Sequence, residues 1–198
     1  MKADRTKIEK KARNRKMEEK LEAQLRELAG MIDHTILMPN ATKQKVLEVC
    51  QECRDYHFKM IAINSCQVTL CHHALKGSGV HVGAAISFPL GQTELNIKLL
   101  ETEHAIRQGA DEIDYVVNLT ELKSGNWDLV RKEMDRITRL CHQYGKICKV
   151  IFETCYLSEE EIIRLAQIAR EVKPDFIKTS TGFGPAGATA KDVFIMKH

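Results

Sequence analysis

From residue 31 onward, short apolar runs alternate along the chain with longer stretches whose apolar residues recur at helical spacing. The short runs predict strands and the longer stretches predict helices. Because the two alternate strictly, the pattern favours an α/β fold with a parallel sheet and right-handed helical crossovers. The pattern predicts six strands in this sheet, over residues 31–34, 60–64, 80–86, 112–118, 146–153 and 176–178.

Residues that typically begin and end helices stand between those runs. Thr42 and Thr93 are candidate N-caps, and Ser158 with Glu161 three residues later forms a capping box. Gly109 closes the helix that begins at Thr93, and Pro174 marks a break before the last predicted strand. The predicted helices cover 42–56, 68–75, 93–108, 126–144 and 158–172, and a final helix starts near 189.

A parallel sheet of this kind is either open and doubly wound or closed into a (β/α)₈ barrel, the TIM barrel. No Gly-x-Gly-x-x-Gly follows the first strand, which weakens a dinucleotide-binding interpretation. Asn64, Asn118, Glu153 and Lys178 stand at the C-terminal ends of strands, where a barrel places its active-site groups. A complete barrel takes about 250 residues. The prediction is therefore a TIM (β/α)₈ barrel, incomplete with about six βα units.

The first thirty residues differ in composition from the rest. They hold ten Lys or Arg and six Asp or Glu, a balance of +4, whereas the net charge of the whole chain is +3. The sequence predicts a basic N-terminal helical extension over 1–30 and a barrel domain over 31–198. Acids interleaved with the bases favour a solvated helix, and a nucleic-acid-binding arm is the alternative. Leu21, Leu25 and Leu28 form an apolar stripe on its C-terminal part.

Several classes of protein are disfavoured by composition. No apolar run approaches the roughly 18 residues that span a membrane, and no signal-peptide core follows the N-terminus. Seven scattered cysteines suggest reduced thiols and a cytoplasmic protein. Cys50-x-x-Cys53 is interpreted as thiols of a helix and not as a redox pair. A metal site from Cys66, Cys71, His72 and His73 is a weaker alternative, because a carboxylate shell is missing from the pattern.

Charged side chains within apolar strands point to chemistry, because burying an unpaired charge is costly. Alternation places Asp114 and Asn118 on one face of the fourth predicted strand, and Lys149 points into the barrel from the fifth. Lysine ordinarily has a pKa of about 10.4, so its amine is protonated at neutral pH. A second cation nearby frees such an amine for attack on a carbonyl. We therefore interpret Lys178 as a Schiff-base nucleophile, Lys149 as the second cation and Asp114 as a proton shuttle. A buried Lys149–Asp114 ion pair with a surface Lys178 is the alternative.

The segment after Lys178 has the composition of an anion-binding loop. Thr179, Ser180 and Thr181 are followed by Gly182, and two more glycines come before the last helix. Open backbone N–H groups and a helix N-terminus favour a phosphate ligand.

Five blocks of the chain resemble the deoxyribose-phosphate aldolase family, in the family's order. The blocks are IDHT (32–35), SFPLG (87–91), GADEIDYVVN (109–118), KVIFET (149–154) and DFIKTSTGF (175–183). The resemblance implies a class I aldolase that reversibly cleaves 2-deoxy-D-ribose 5-phosphate to glyceraldehyde 3-phosphate and acetaldehyde, with no metal and no cofactor. It implies Lys178 as the Schiff-base lysine, Asp114 as the proton-relay acid and Lys149 as a supporting lysine. Substrate contacts are implied for Asp33, Thr35, Thr181 and Gly182.

The sequence also departs from the family's pattern. The family continues through a seventh strand with another active-site lysine and an eighth strand with a phosphate loop, and neither occurs in the 198 residues. An inactive homologue that binds a sugar phosphate or a partner chain is therefore the alternative function. The expected partner is a sugar phosphate, with a possible homodimer and no membrane.

Overall fold

The computed structural model describes residues 2–197, with side chains from residue 14 onward. Its sheet is parallel throughout and follows the order of the sequence, β1-β2-β3-β4-β5-β6. The strands are β1 Asp33–Ile36, β2 Met60–Asn64, β3 His81–Ile86, β4 Glu112–Val116, β5 Ile147–Ile151 and β6 Phe176–Lys178. Each strand hydrogen-bonds to the next one along the chain, as the alternating sequence pattern predicts.

Helices connect the strands and precede the first of them. They are α1 Lys2–Ala29, α2 Lys43–Tyr56, α3 Val68–Leu75, α4 Leu95–Gln108, α5 Leu119–Lys123, α6 Trp127–Gln143, α7 Glu159–Val172 and α8 Ala190–Lys197. The predicted caps are found at α2, where the Thr42 side chain accepts from Lys45 N at 3.2 Å, and at α7, where Ser158 and Glu161 form the capping box. Gly109 ends α4 with φ 109°, and a Cβ there would lie 2.5 Å from the His72 ring.

The sheet is strongly curled. In a flat sheet β1 and β5 would lie about 19 Å apart, four spacings of about 4.8 Å. Instead Lys149 Nζ on β5 lies 3.1 Å from Asp33 Oδ2 on β1. The strands therefore enclose a common interior, and the six βα units form a partial barrel of the TIM type. The predicted fold class is confirmed.

The apolar core lies between the outer face of the sheet and the helices. Outward residues such as Ile61, Ile113 and Val150 are fully buried, and they belong to one apolar cluster with helix residues such as Met134 of α6 and Leu165 of α7. Burial of apolar surface on this side stabilises each βα unit. The inner face of the strands is left for polar groups, and it forms the site described below.

A buried ion pair in the helical layer fixes the end of β4. Lys98 of α4 donates to Glu133 Oε1 at 2.7 Å and to the carbonyl oxygen of Val116 at 2.8 Å. Glu133 Oε2 accepts from Asn118 N at 3.0 Å. Burial lowers the pKa of Lys98 and raises the pKa of Glu133, although each charge opposes the shift of the other. The pair holds in place the strand that carries Asp114.

Besides the end of the fifth strand, which lies at Ile151 and not at 153, three local predictions are wrong. The first strand begins at Asp33 and not at 31, because Met31 and Ile32 continue the turn that ends α1 through backbone bonds to Leu28 and Ala29. Thr93 does not cap α4. Its N–H donates to Ser87 Oγ at 3.2 Å, and Glu94 is the N-cap residue.

The third wrong prediction concerns the end of β4. This strand ends at Val116, and Asn118 does not share the strand face of Asp114. Its side chain caps α5 by accepting from Glu121 N at 3.2 Å. The helix α5 itself was missed, because its five residues are too few to show a helical period.

The N-terminal helix stands apart from the core. Of the side chains described on it, from residue 14 to Leu28, all are exposed, and Ala29 is buried. Leu21, Leu25 and Leu28 are each more than half exposed. Across the described residues, every helix is too short or too polar to cross a membrane.

Candidate active site

The inner face of the sheet carries an acidic cluster around one lysine. Lys149 Nζ lies 3.1 Å from Asp33 Oδ2, 3.2 Å from Glu112 Oε2 and 3.0 Å from Asp114 Oδ1. Alternation along β4 and β5 places Glu112, Asp114 and Lys149 inward, and the curl of the sheet brings Asp33 to them from β1. The predicted inward orientation of Lys149 is confirmed, and its amine contacts three carboxylates.

Asp114 joins this cluster to Lys178. Its Oδ2 accepts from Lys178 Nζ at 3.2 Å, while Oδ1 faces Lys149. The Asp114 side chain is 5% exposed and that of Lys178 is 32% exposed. The amine is thus the accessible member of the set, and the Asp114 carboxylate lies beneath it between the Nζ atoms of Lys178 and Lys149. The structure brings Lys178, Asp114 and Lys149 together as the sequence predicts.

Charge balance explains the protonation of the cluster. Burial raises the pKa of Asp114, and the neighbouring Lys149 and Lys178 do not fully offset that rise. Burial alone would lower the pKa of Lys149, but Asp114, Asp33 and Glu112 outweigh it and the net pKa is raised. The three carboxylates around Lys149 favour its protonated form, and the nearby Asp33 carboxylate adds to the raised pKa of Asp114. Lys149 is therefore a permanent cation at neutral pH, and Asp114 holds a proton more readily than an ordinary aspartate.

Polar contacts continue from the cluster toward the N-terminal end of the strands. Glu112 Oε1 lies 2.7 Å from His81 Nδ1, and His81 Nε2 lies 3.3 Å from Lys59 Nζ. Glu112 is 2% exposed. This carboxylate therefore has a partner on each oxygen, which fixes its orientation toward Lys149.

A cavity of about 470 Å³ opens above Lys178 at the C-terminal ends of the strands. It is lined by six of the seven residues singled out from the sequence: Asp33, Thr35, Asp114, Lys178, Thr181 and Gly182. The seventh, Lys149, lies beneath this lining against Asp33 and Asp114. The cavity has space because small residues, such as Ala62, Gly83 and Ala85, line it from β2 and β3. A small sugar chain fits a space of this size.

The segment after Lys178 is held by the end of β5. Phe152 N donates to the carbonyl oxygen of Lys178 at 2.9 Å, and Thr154 N donates to that of Thr179 at 2.9 Å. Between these two bonds, the buried side chain of Glu153 accepts from Thr181 N at 3.1 Å and from the Thr181 hydroxyl. The sequence placed Glu153 at a strand end but did not predict this contact.

The other candidate sites do not assemble. Cys50 and Cys53 are buried in the core, as interpreted, and all seven cysteines are free thiols. Cys71 is buried, whereas Cys66, His72 and His73 are exposed. Among the described side chains, no three His, Cys, Asp or Glu residues are grouped as metal ligands. Trp127 packs against the core, with the Arg164 guanidinium 4.3 Å from its ring centroid.

An amine that reaches into a cavity beside an acid able to move protons is the equipment of a Schiff-base aldolase, and curled parallel sheets carry such sites at the C-terminal ends of their strands. The fold and the site thus fit this class of enzyme. The family model described as DeoC/LacD family aldolase matches residues 28–198. The chain belongs to this family of aldolases.

Similar proteins agree with this assignment. A protein of Lactobacillus acidophilus named deoxyribose-phosphate aldolase is 51% identical over 173 residues, which are 87% of this chain and 73% of that protein. The structure described as "QR15, an Aldolase" superposes with a TM-score of 0.80 at 36% identity, covering 85% of this chain and 75% of that one. A tetrameric deoxyribose phosphate aldolase from Aeropyrum pernix gives a TM-score of 0.79 at 31% identity, covering 86% and 71%.

Proposed function

We propose that this chain is a class I aldolase that reversibly cleaves 2-deoxy-D-ribose 5-phosphate to D-glyceraldehyde 3-phosphate and acetaldehyde. The observation that carries the proposal is the 3.2 Å contact between Lys178 Nζ and Asp114 Oδ2 on the floor of the cavity. Similar proteins named deoxyribose-phosphate aldolase support the choice of substrate. The inactive homologue is not favoured, because the nucleophile and its proton relay are both in place.

In the proposed reaction the neutral amine of Lys178 attacks the aldehyde carbon of the open-chain sugar. Loss of water gives an iminium that withdraws electrons from the adjacent bond. Asp114 accepts the proton of the hydroxyl group on the third sugar carbon, directly or through water, and the bond between the second and third carbons breaks. Glyceraldehyde 3-phosphate leaves. The enamine that remains takes up a proton at carbon, and water releases acetaldehyde and the free amine.

The other site residues are assigned supporting roles in this proposal. Lys149 supplies a fixed positive charge near the reacting amine and orients Asp114. Asp33 and Thr35 line the cavity from β1 and are proposed to contact the hydroxyl groups of the sugar. Thr181 and Gly182 line the cavity and are proposed to lie at the phosphate end of the substrate.

Asp114→Asn tests the proposed chemistry. We expect wild type to release acetaldehyde from deoxyribose 5-phosphate, and the variant to lose about 10²- to 10⁴-fold in kcat, the usual range for removal of a general base. Schiff-base formation at Lys178 should survive, because the amide keeps the shape of the side chain. The proton-accepting carboxylate form is lost as the pH falls through the raised pKa of Asp114. The acid limb of the wild-type pH profile should therefore disappear in the variant, as measured by coupled assay. Absence of turnover in wild type would refute the proposed function.

We also propose that residues 1–30 form an extension outside the barrel domain, residues 31–198, and that the protein is a cytoplasmic homodimer. The exposure of the α1 side chains from residue 14 to Leu28 supports the extension. The seven free thiols support the cytoplasmic location. The Aeropyrum pernix relative, described as a tetramer, supports self-association.

Deletion of residues 1–28 tests the extension. We expect kcat and KM to stay unchanged, because the side chains described on α1 up to Leu28 are exposed and none contributes to the cavity. The sedimentation coefficient of both forms should correspond to a dimer. Loss of activity on deletion would show that α1 belongs to the functional domain, and a monomeric full-length chain would refute the proposed dimer.

A further inference from the structure

The backbone of Glu153, two residues after the end of β5, has an unusual conformation. Its φ of 55° and ψ of 60° lie in the left-handed region, which non-glycine residues rarely occupy. The residue is also 2% exposed, so its carboxylate is removed from solvent. Strained and buried groups of this kind persist where the surroundings fix them, and they cluster at functional sites. Glu153 has no role in the reaction proposed above.

Both carboxylate oxygens of Glu153 bind one residue. Oε1 accepts from Thr181 N at 3.1 Å, and Oε2 accepts from the Thr181 hydroxyl. The Cys155 thiol lies 3.9 Å from Oε1. Gly184 passes close to both side chains, because a Cβ there would lie 2.7 Å from Cys155 Sγ and 3.4 Å from Glu153 Oε1. The carboxylate therefore organises the turn formed by residues 181–184.

This contact restricts what the Thr181 hydroxyl can do. A hydroxyl has one proton and two lone pairs. The proton goes to Glu153, and one lone pair accepts from Phe183 N at 3.0 Å. While the Thr181 hydroxyl donates to Glu153, it cannot also donate to a bound anion. Other donors near this turn include the backbone N–H of Gly182 and the hydroxyl of the preceding Ser180, which has no hydrogen-bond partner among the described residues.

Lys178 is held independently of these side chains. Its carbonyl oxygen and that of Thr179 accept from the backbone of Phe152 and Thr154, on either side of Glu153. Loss of the Glu153 carboxylate leaves both backbone bonds available. The turn at 181–184 should therefore be displaced while the lysine stays in place.

We propose that Glu153 is a positioning residue for the phosphate end of the substrate, acting through the Thr181 hydroxyl. The carboxylate fixes the turn so that Gly182 N–H and the Ser180 hydroxyl meet the phosphate. Thr181 belongs to this support and does not itself donate to the ligand. This inference rests on the proposed function, since it concerns the same site and the same substrate.

Two variants and a matched control test the inference. Glu153→Gln keeps the volume and removes the charge, Thr181→Val keeps the shape and removes the hydroxyl, and Thr181→Ser retains the hydroxyl. For deoxyribose 5-phosphate we expect the first two variants to lose about 10- to 100-fold in kcat/KM, as small misplacements of substrate-positioning groups do. For 2-deoxyribose, which lacks the phosphate, the loss in kcat/KM should be much smaller than for deoxyribose 5-phosphate. Thr181→Ser, which keeps the hydroxyl, should lose less kcat/KM than Thr181→Val with deoxyribose 5-phosphate.

The double variant Glu153→Gln/Thr181→Val separates this role from a direct contact. If the two residues act as one unit, the double variant loses no more than the worse single variant. Multiplied losses would overturn the inference, because Thr181 would then meet the substrate on its own. Equal losses with both substrates would also overturn it, since they indicate general disruption of the fold. Failure of the proposed function would be recognised separately, in wild type, as absence of turnover with either sugar.

Discussion

Lys178→Met is expected to lower turnover of deoxyribose 5-phosphate by at least about 10⁴-fold, as removal of a covalent nucleophile typically does. Without the amine no iminium forms. Nothing then withdraws electrons from the bond between the second and third sugar carbons, so this bond is not cleaved. The free energy of unfolding should change little. The Lys178 side chain is about one third exposed at 32%, and Asp114 retains Lys149 at 3.0 Å. Steady-state kinetics and denaturant unfolding of the same preparation measure both quantities.

Lys178→Arg is the matched control for charge. The guanidinium preserves a cation next to Asp114, but it stays protonated and does not form a Schiff base. We expect it to be as inactive as Lys178→Met. Substantial turnover by the arginine variant would mean that Lys178 acts through its charge, and the covalent mechanism would be wrong.

Lys149→Met is expected to reduce the free energy of unfolding at pH 7 by about 3–5 kcal/mol, the cost of removing one partner from a buried ion pair. Asp33, Glu112 and Asp114 share this ammonium group, and its side chain is only 8% exposed. In the wild type the raised pKa of Lys149 contributes stability that is fully present below the ordinary lysine pKa and is lost as pH rises through the raised value. The contribution is therefore complete at neutral pH.

The loss in Lys149→Met should shrink as the pH is lowered from 7 toward 5. Without the ammonium, the folded acidic cluster takes up protons more readily than the unfolded chain, so acid favours the folded variant. Lys146→Met is the control. Lys146 pairs with Asp111 at 3.0 Å with side chains 26% and 38% exposed, so its removal should cost no more than about 1 kcal/mol. Equal losses from the two variants, measured by urea unfolding, would contradict the role given to Lys149.

The sequence predicts local features of this fold well and its closure less well. Strict alternation predicts the parallel sheet, and the bounds of β2 and β6 are found as expected. The contact between Lys149 and Asp33 spans 116 residues and depends on how far the sheet curls. Periodicity says which face a side chain occupies, not which distant strand it will meet. The sequence could therefore predict an inward lysine but not the three carboxylates that surround it.

Side chains that support the site from behind were missed for a different reason. Lys98 lies on an amphipathic helix, where a lysine ordinarily indicates the solvent face, yet it is fully buried against Glu133. Glu153 gives no sign in the sequence of its left-handed backbone, because that conformation is typical of glycine and asparagine. Such residues are recognised only when their hydrogen-bond partners are known. The strand pattern and the family resemblance point to the proposed reacting groups, and the structure added the residues that contact and orient them.

Borohydride reduction in the presence of acetaldehyde, followed by peptide mass spectrometry, tests the central claim most directly. Reduction of the iminium leaves a stable ethyl group on the lysine that formed it. We predict that this group is found on Lys178 and that Lys149, which is held as a cation by three carboxylates, stays unmodified. An adduct on another lysine, or an unchanged yield of adduct in Lys178→Met, would contradict the assignment of Lys178 as the nucleophile.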